Sequence, residues 1–423
     1  MPPRSRKTGA PPIHRQFRGN ARRRWNWTRK FREGQVVTRS VAQTDICDAI
    51  ASLWVNLAAR HKIAGHNAQA LSRWIEPMRR PAFLLALACA AAVPIGATSR
   101  IAAADDEAAY GPQLQGFEYP WPVSHFSFTS QGEALEMAYM DVPPAAAPTG
   151  RVVVLLHGKN FCAATWQDTI AALSGAGYRV IAPDQIGFCK SSKPAHYQYS
   201  FQQLAANTRA LLTALGISRA TIAGHSTGGM LGMRYALTYP EDVDELVLVD
   251  PIGLEDWKAK GVPWQSVDAW YRQDLKTTAE SIRNYERATY YAGTWDARYE
   301  RWVQMLAGLY RGPGREIVAW NSALIYDMIY TQPVFYEFEQ IKVAVLLMVG
   351  DKDTTAIGKN LAPPAVAATL GNYPVLAKAA ASRFPRAHLV EFPDLGHSPQ
   401  IQAPERFHAA LFDGIRSRAG EAR

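Results

Sequence analysis

From about residue 126 onward, short unbroken apolar runs alternate with longer stretches of helical periodicity. Phe126-Ser127-Phe128 and Glu133–Met140 read as an opening pair of strands. Further strands are predicted over 151–157, 178–182, 220–223, 245–250, 343–349 and 388–392, with helices over 166–173, over 201–215 and after Ser226. Runs such as Val152-Val153-Val154-Leu155-Leu156 are apolar at every position instead of every second one. A strand of that kind is buried on both faces, as in a parallel sheet covered by helices on either side. The predicted fold class is therefore α/β, with a mostly parallel eight-stranded sheet. In such sheets chemistry gathers at the carboxyl ends of the strands.

The alternation breaks after the sixth strand. Residues 252–340 contain no obvious core strand and read as helical and aromatic, with Trp257, Trp264, Trp270, Tyr271, Tyr290, Tyr291, Trp295, Trp302, Tyr310, Trp320, Tyr326, Tyr330 and Tyr336. This stretch is expected to form a lid over the carboxyl edge, leaving 110–251 and 341–418 as the core. Aromatic stripes at helical spacing serve helix packing as readily as pocket lining, so three or four of these rings are expected to touch a substrate.

The net charge of +9 would suggest an anionic partner, but its distribution removes that reading from the core. Residues 1–77 hold 15 Lys/Arg against 4 Asp/Glu, a net of +11, which leaves about −2 for the remainder. The basic arm ends in Arg22-Arg23-Arg24-Trp25-Asn26-Trp27 and reads either as a nucleic-acid contact or as an extension without an apolar face. Met78-Arg79-Arg80 is followed by Pro81–Val93 and then by Ala102-Ala103-Ala104-Asp105. A positive start, a short apolar run and an Ala-x-Ala site together read as a secretory signal over 78–104; the alternative is a buried Ala-rich helix. The run is too short to span a bilayer comfortably. The expectation is a periplasmic or secreted protein starting at Met78, with no membrane span after cleavage and no nucleic-acid role for the mature domain.

Candidate chemistry clusters at three strand ends. Gly224-His225-Ser226-Thr227-Gly228 joins an apolar run to a helical one, so Ser226 would sit on a tight elbow that demands glycine on either side. The helix that follows would aim free N–H groups at charge developing on an attacked carbonyl. Gly350-Asp351-Lys352-Asp353 follows the seventh strand and Leu395-Gly396-His397 the eighth. A serine needs a base, and the base needs an orienting group. Asp250 also ends a strand and stays open as an alternative acid. No His/Cys group has metal-ligand spacing and no glycine loop matches a nucleotide site; neither a cofactor nor a metal is expected, and the partner is a small-molecule substrate.

From about Phe126 to Ile415 the chain resembles the α/β-hydrolase superfamily, in the lid-bearing branch of esterases, epoxide hydrolases and dehalogenases. Besides the three motifs above, His157-Gly158-Lys159-Asn160 is similar to the family's oxyanion loop, and Asp184-Gln185-Ile186-Gly187-Phe188-Cys189-Lys190-Ser191 to its Asp-x-x-Gly-x-Gly-x-Ser turn, with Cys189 in place of the second glycine. The resemblance implies Ser226 as nucleophile, His397 as base, Asp353 as acid, and the backbone N–H groups of Lys159 and Thr227 as the oxyanion hole. Epoxide hydrolases and haloalkane dehalogenases of this branch carry Asp as nucleophile, so Ser226 favours ester chemistry. Carbon–carbon or amide hydrolysis on the same triad is the alternative, and a non-catalytic ligand binder the reading from another class. Cys47 and Cys89 precede the expected cleavage. In this fold the loops carrying Cys162 and Cys189 are neighbours, which implies a disulfide between them; two buried thiols are the alternative.

Overall fold

A computed structural model describes residues 108–421. The basic arm, the signal-like segment, Cys47 and Cys89 lie outside the described residues. Eight strands form one sheet: β1 Val123–Ser130, β2 Glu133–Val142, β3 Val152–Leu156, β4 Arg179–Pro183, β5 Ala220–His225, β6 Val243–Val249, β7 Val345–Gly350 and β8 Ala387–Phe392. Their spatial order is β1-β2-β4-β3-β5-β6-β7-β8. The β1–β2 and β2–β4 pairings are antiparallel and all others parallel. The predicted eight-stranded, mostly parallel sheet is what the chain builds.

The unbroken apolar runs have a simple cause. Val154 and Leu156 of β3, Ile222 of β5, Leu246 and Leu248 of β6 and Leu347 of β7 all serve one core cluster, which includes Leu204 and Leu211 of α2 (Phe201–Ala214) and Met230 and Met233 of α3 (Thr227–Thr238). Their sequence neighbours Val153, Leu155, Ala223, Val247 and Leu346 serve a second cluster with Ile170 and Leu173, which belong to α1 (Gln167–Gly175), and with Phe407 and Leu411 of the last helix. Successive side chains leave a strand on opposite faces. Each central strand must therefore be apolar at both parities.

Between β6 and β7 the chain forms α4 (Val267–Asp274), α5 (Ala279–Tyr285), α6 (Glu300–Arg311) and α7 (Arg315–Thr331). Side-chain caps start two of them: Ser266 Oγ accepts from the Ala269 N–H, and Thr278 and Ser281 form a reciprocal capping box. These caps satisfy amide donors that the first helical turn leaves without partners. Between α5 and α6, Glu286–Tyr290 forms a π-helical turn, a wide turn found mostly in single copies at functional sites. No described helix is long and apolar enough to cross a membrane.

Cys162 and Cys189 are joined in a disulfide, with Cα atoms 5.9 Å apart. Cys162 follows β3 and Cys189 follows β4, and these strands pair in parallel, so both loops leave the sheet at its carboxyl edge side by side. Cys189 has φ +41°, a conformation that favours glycine; here the cystine bond holds a side chain where the family's turn carries none. The bridge spans a sequence separation of 27, and a closed loop of that size removes about 3.5 kcal/mol of unfolded-state entropy in the chain-entropy account. Replacing the pair as Cys162→Ala with Cys189→Gly is expected to lower Tm by about 5–10 °C in calorimetry. An unchanged Tm would show that the bridge carries no stability.

Candidate active site

Ser226 sits between β5 and α3 with φ +56° and ψ −118°. A non-glycine residue there stores about 1–3 kcal/mol of strain and persists only when its surroundings over-determine it. They do: the Ser226 N–H donates to Val249 O at 3.1 Å, while its carbonyl accepts from Gly229 and Ile252. The flanking glycines are required by space. A Cβ on Gly224 would lie 2.1 Å from Gly228 O, and one on Gly228 would lie 2.2 Å from Leu156 O. The turn is as tight as the sequence implied.

The base is held from several directions. His397 Nδ1 and Asp353 Oδ2 are 2.6 Å apart, and both side chains are wholly buried. Asp353 Oδ1 accepts from the Thr355 N–H at 2.7 Å. The His397 backbone carbonyl accepts from His225 Nε2 at 2.7 Å, so the elbow's own histidine ties the base's loop to the nucleophile's strand. The backbone N–H groups of His397 and Ser398 donate to Thr289 O and Tyr290 O in the π-helical turn, each at 3.3 Å. The Tyr290 ring lies 4.9 Å from the His397 ring. His397 Nε2 is buried and has no hydrogen-bond partner among the described residues.

Two carboxyls lie beside the imidazole, and their contacts differ. Asp250 lies close enough that its carboxyl, that of Asp353 and a His397 ring nitrogen all fall within 4.8 Å of one another. Asp250 Oδ1 accepts from the Gly350 N–H at 2.8 Å. Burial, and then the neighbouring Asp353 charge, push the Asp250 carboxyl well above the usual carboxylate range. Like charges this close do not both ionise readily. Asp353 makes the bond to the imidazole, and Asp250 braces the end of β7.

The oxyanion loop meets the elbow directly. A Cβ on Gly158 would lie 3.1 Å from Ser226 Cβ, which brings the 158–159 peptide against the serine. Thr227 contributes the first N–H of α3, directly after Ser226, and Lys159 follows the glycine packed on the serine. Buried His157 fixes the loop: the Gln185 N–H donates to its Nε2 at 3.1 Å, so Nδ1, 2.8 Å from Gly158 O, carries the proton and donates. Burial lowers the pKa of His157, which keeps this neutral tautomer.

A cleft of about 610 Å³ adjoins these residues and is lined in part by Lys159, Asn160, Thr289, Thr355 and the insert aromatics Trp270, Tyr285, Tyr310 and Tyr326. Ser226 and His397 are not in this lining; they are buried, and of the wall residues Thr289 accepts from the His397 N–H and Thr355 donates to Asp353. Asn160 Nδ2 donates to Tyr290 Oη at 3.0 Å. The Lys159 ammonium donates to Ser322 Oγ at 2.7 Å and lies 3.5 Å from the centre of the Tyr326 ring. Burial draws its pKa down to about 8, against the raising influence of Asp274. Sequence reasoning missed Tyr285, Asn160 as the partner of Tyr290, and His225 as a tether; the last stood inside the serine motif and was the one with a signal.

Among the described residues two groups of acids, histidines and cysteines come close enough to share an ion. One is the Asp250–Asp353–His397 set. The other joins Asp184 to Cys162 and Cys189, whose sulfurs are bonded to each other. Asp184 accepts from the N–H groups of Ala163 and Lys190 and from Tyr119 Oη, which makes it the organiser of both cystine loops.

Comparisons with known proteins agree with this fold. The family model described as alpha/beta hydrolase fold matches residues 151–297. The crystal structure of a probable hydrolytic enzyme from Pseudomonas aeruginosa PAO1 is 65% identical, with a TM-score of 0.73, covering 73% of this chain and 99% of that one. A 2-hydroxy-6-oxo-6-phenylhexa-2,4-dienoate hydrolase of Comamonas testosteroni is 31% identical over 140 residues, 32% of this chain and 49% of the relative. A cis-3-alkyl-4-alkyloxetan-2-one decarboxylase of Xanthomonas campestris is 34% identical over 139 residues, 31% of this chain and 45% of the relative. The chain thus spans less than half the length of these two curated relatives. With the eight-stranded sheet and a relative that it covers almost from end to end, the chain belongs to the alpha/beta hydrolase fold family and is a hydrolase.

Proposed function

We propose that this hydrolase is an exported serine esterase, acting on small, largely apolar carboxylic esters through an acyl-enzyme at Ser226. The observation that carries this reading is the buried Asp353–His397 pair, whose outer nitrogen has no partner and whose loop is tied to the serine elbow. On this reading His397 Nε2 takes the Ser226 hydroxyl proton as Oγ attacks the ester carbon. The backbone N–H groups of Lys159 and Thr227 receive the oxyanion, with the dipole of α3 behind them. The alcohol leaves with the proton from His397, and water activated by the same nitrogen releases the acid. Residues 252–340 act as the lid, supplying Trp270, Tyr285, Tyr310 and Tyr326 to the cleft wall. The dienoate hydrolase relative favours carbon–carbon cleavage as the second reading. A diketone in the substrate panel separates the two.

Export rests on the segment 78–104, and the disulfide supports it, because cystines persist in oxidising compartments. N-terminal sequencing of the exported protein is expected to start near Asp105. A mature chain that retains residues before Met78 would end this part of the proposal.

The chemistry has its own test. A fluorophosphonate probe is expected to label Ser226, and Ser226→Ala to abolish both labelling and ester turnover; a folded protein that resists the probe returns the ligand-binder reading. Asp353→Asn is expected to lower kcat on the order of 10⁴-fold, as when the orienter of an imidazole is lost. Asp250→Asn preserves a neutral acceptor for Gly350 and is expected to cost less than about tenfold. Equal losses would reassign the acid.

A further inference from the structure

Lys159 is more than the donor of a backbone N–H. It follows the glycine packed on Ser226, and its side chain lines both the 610 Å³ cleft and a smaller cavity of about 40 Å³ beside the cystine bridge. No carboxylate forms an ion pair with it among the described residues. Asp274, the acid lining the cleft, is buried, with its Oδ2 3.5 Å from Tyr310 Oη. An ammonium has three donors, and the protein is seen to provide one hydroxyl, Ser322 Oγ, and one ring face, Tyr326. A half-buried cation this poorly compensated is costly unless something else pairs with it.

The surroundings share its sign. Lys276 and Lys359 also line the cleft, so it carries three lysines against one aspartate, although residues 78–423 together are net acidic. Lys276 is exposed, whereas Lys359 Nζ is spent on the carbonyls of Leu370 and Thr354. Lys159 is therefore the cation of the three whose backbone adjoins the glycine packed on Ser226. Trp270, Ile282 and Leu306 line the same cleft and offer apolar surface beside it.

We propose that the preferred substrate is an ester with a carboxylate a few bonds from the scissile carbonyl, the carboxylate pairing with the Lys159 ammonium and the hydrocarbon lying on the apolar wall. This rests on the ester-hydrolase reading and narrows its substrate class to half-esters of short dicarboxylic acids or their equivalents. Lys159 then serves twice: its N–H receives the oxyanion and its side chain anchors the anion. The competing role is purely structural, a tether from the oxyanion loop to α7 through Ser322.

The test compares mono-4-nitrophenyl glutarate with 4-nitrophenyl valerate, which match in length and differ in charge. Wild-type protein is expected to favour the glutarate in kcat/KM by at least about tenfold, the scale of one charge-assisted hydrogen bond, and mainly through KM. Lys159→Met is expected to erase that ratio, whatever it does to the valerate rate, and Lys159→Arg to restore part of it. Equal kcat/KM on the two esters in the wild type, or a ratio unchanged in Lys159→Met, overturns the proposal while leaving the esterase standing. A merely structural lysine would lower both rates together. Calorimetry of glutarate on Ser226→Ala reads the anion site without turnover: binding is expected, and its survival in Ser226→Ala/Lys159→Met, or its absence in Ser226→Ala, also counts against the proposal. If neither ester is cleaved and the probe leaves Ser226 unlabelled, the esterase reading itself falls.

Discussion

The bond between His397 Nδ1 and Asp353 Oδ2 is 2.6 Å long and both side chains are fully buried. A buried carboxylate costs several kcal/mol unless donors surround it, and the Thr355 N–H supplies a second one. This arrangement fixes the ring's tautomer and leaves its other nitrogen buried without a partner among the described residues. Much of the remaining structure at the sheet's carboxyl edge keeps that pair in place. Asp250 caps the β7 end at Gly350, from which the acid's loop departs. The price of the arrangement is a second carboxyl in the same pocket, whose pKa burial and its neighbour raise.

The helical insert takes part in this positioning. Thr289 and Tyr290 accept the backbone donors of the histidine loop, and Gln402 bridges the same region by accepting from the Gly396 N–H and donating to Tyr291 O. These contacts come from a π-helical turn, in which each N–H reaches back five residues and the backbone widens. That turn buries Glu286 with neither carboxylate oxygen hydrogen-bonded, and burial raises its pKa well above normal. A neutral acid there is tolerable where a charge would not be. Insert and base therefore form one mechanical unit, and disturbing the turn would shift His397.

The sheet was legible because a strand buried on both faces is apolar at most positions, and that constraint is written in consecutive letters such as those of Val345–Gly350. The serine elbow was legible because steric exclusion at 224 and 228 forces glycine into fixed offsets. Strand ends and chain order brought Asp353 and His397 into view, and the cysteine at a glycine position exposed the bridge. What stayed hidden depends on contacts between distant segments. Asn160 meets Tyr290 across 130 positions and Lys159 meets Ser322 across 163; no local pattern marks such pairs. The choice between Asp250 and Asp353 was open for the same reason, since both end strands and only their distances from the imidazole separate them.

Lys159 shows how the two kinds of information combine. Its place after His157-Gly158 follows from the loop motif, and its backbone position is dictated by the glycine that packs on Ser226. Its side chain obeys a different set of partners, all from the insert: Ser322, Tyr326 and, at longer range, Asp274. The disulfide closes the other side of the same loop, since Cys162 follows Lys159 by three residues and is bonded to the turn after β4. A shift of the insert would thus move the ammonium, while the cystine and the elbow hold the backbone N–H still. The side chain of Lys159 thus answers to the insert, and its backbone to the sheet and the cystine.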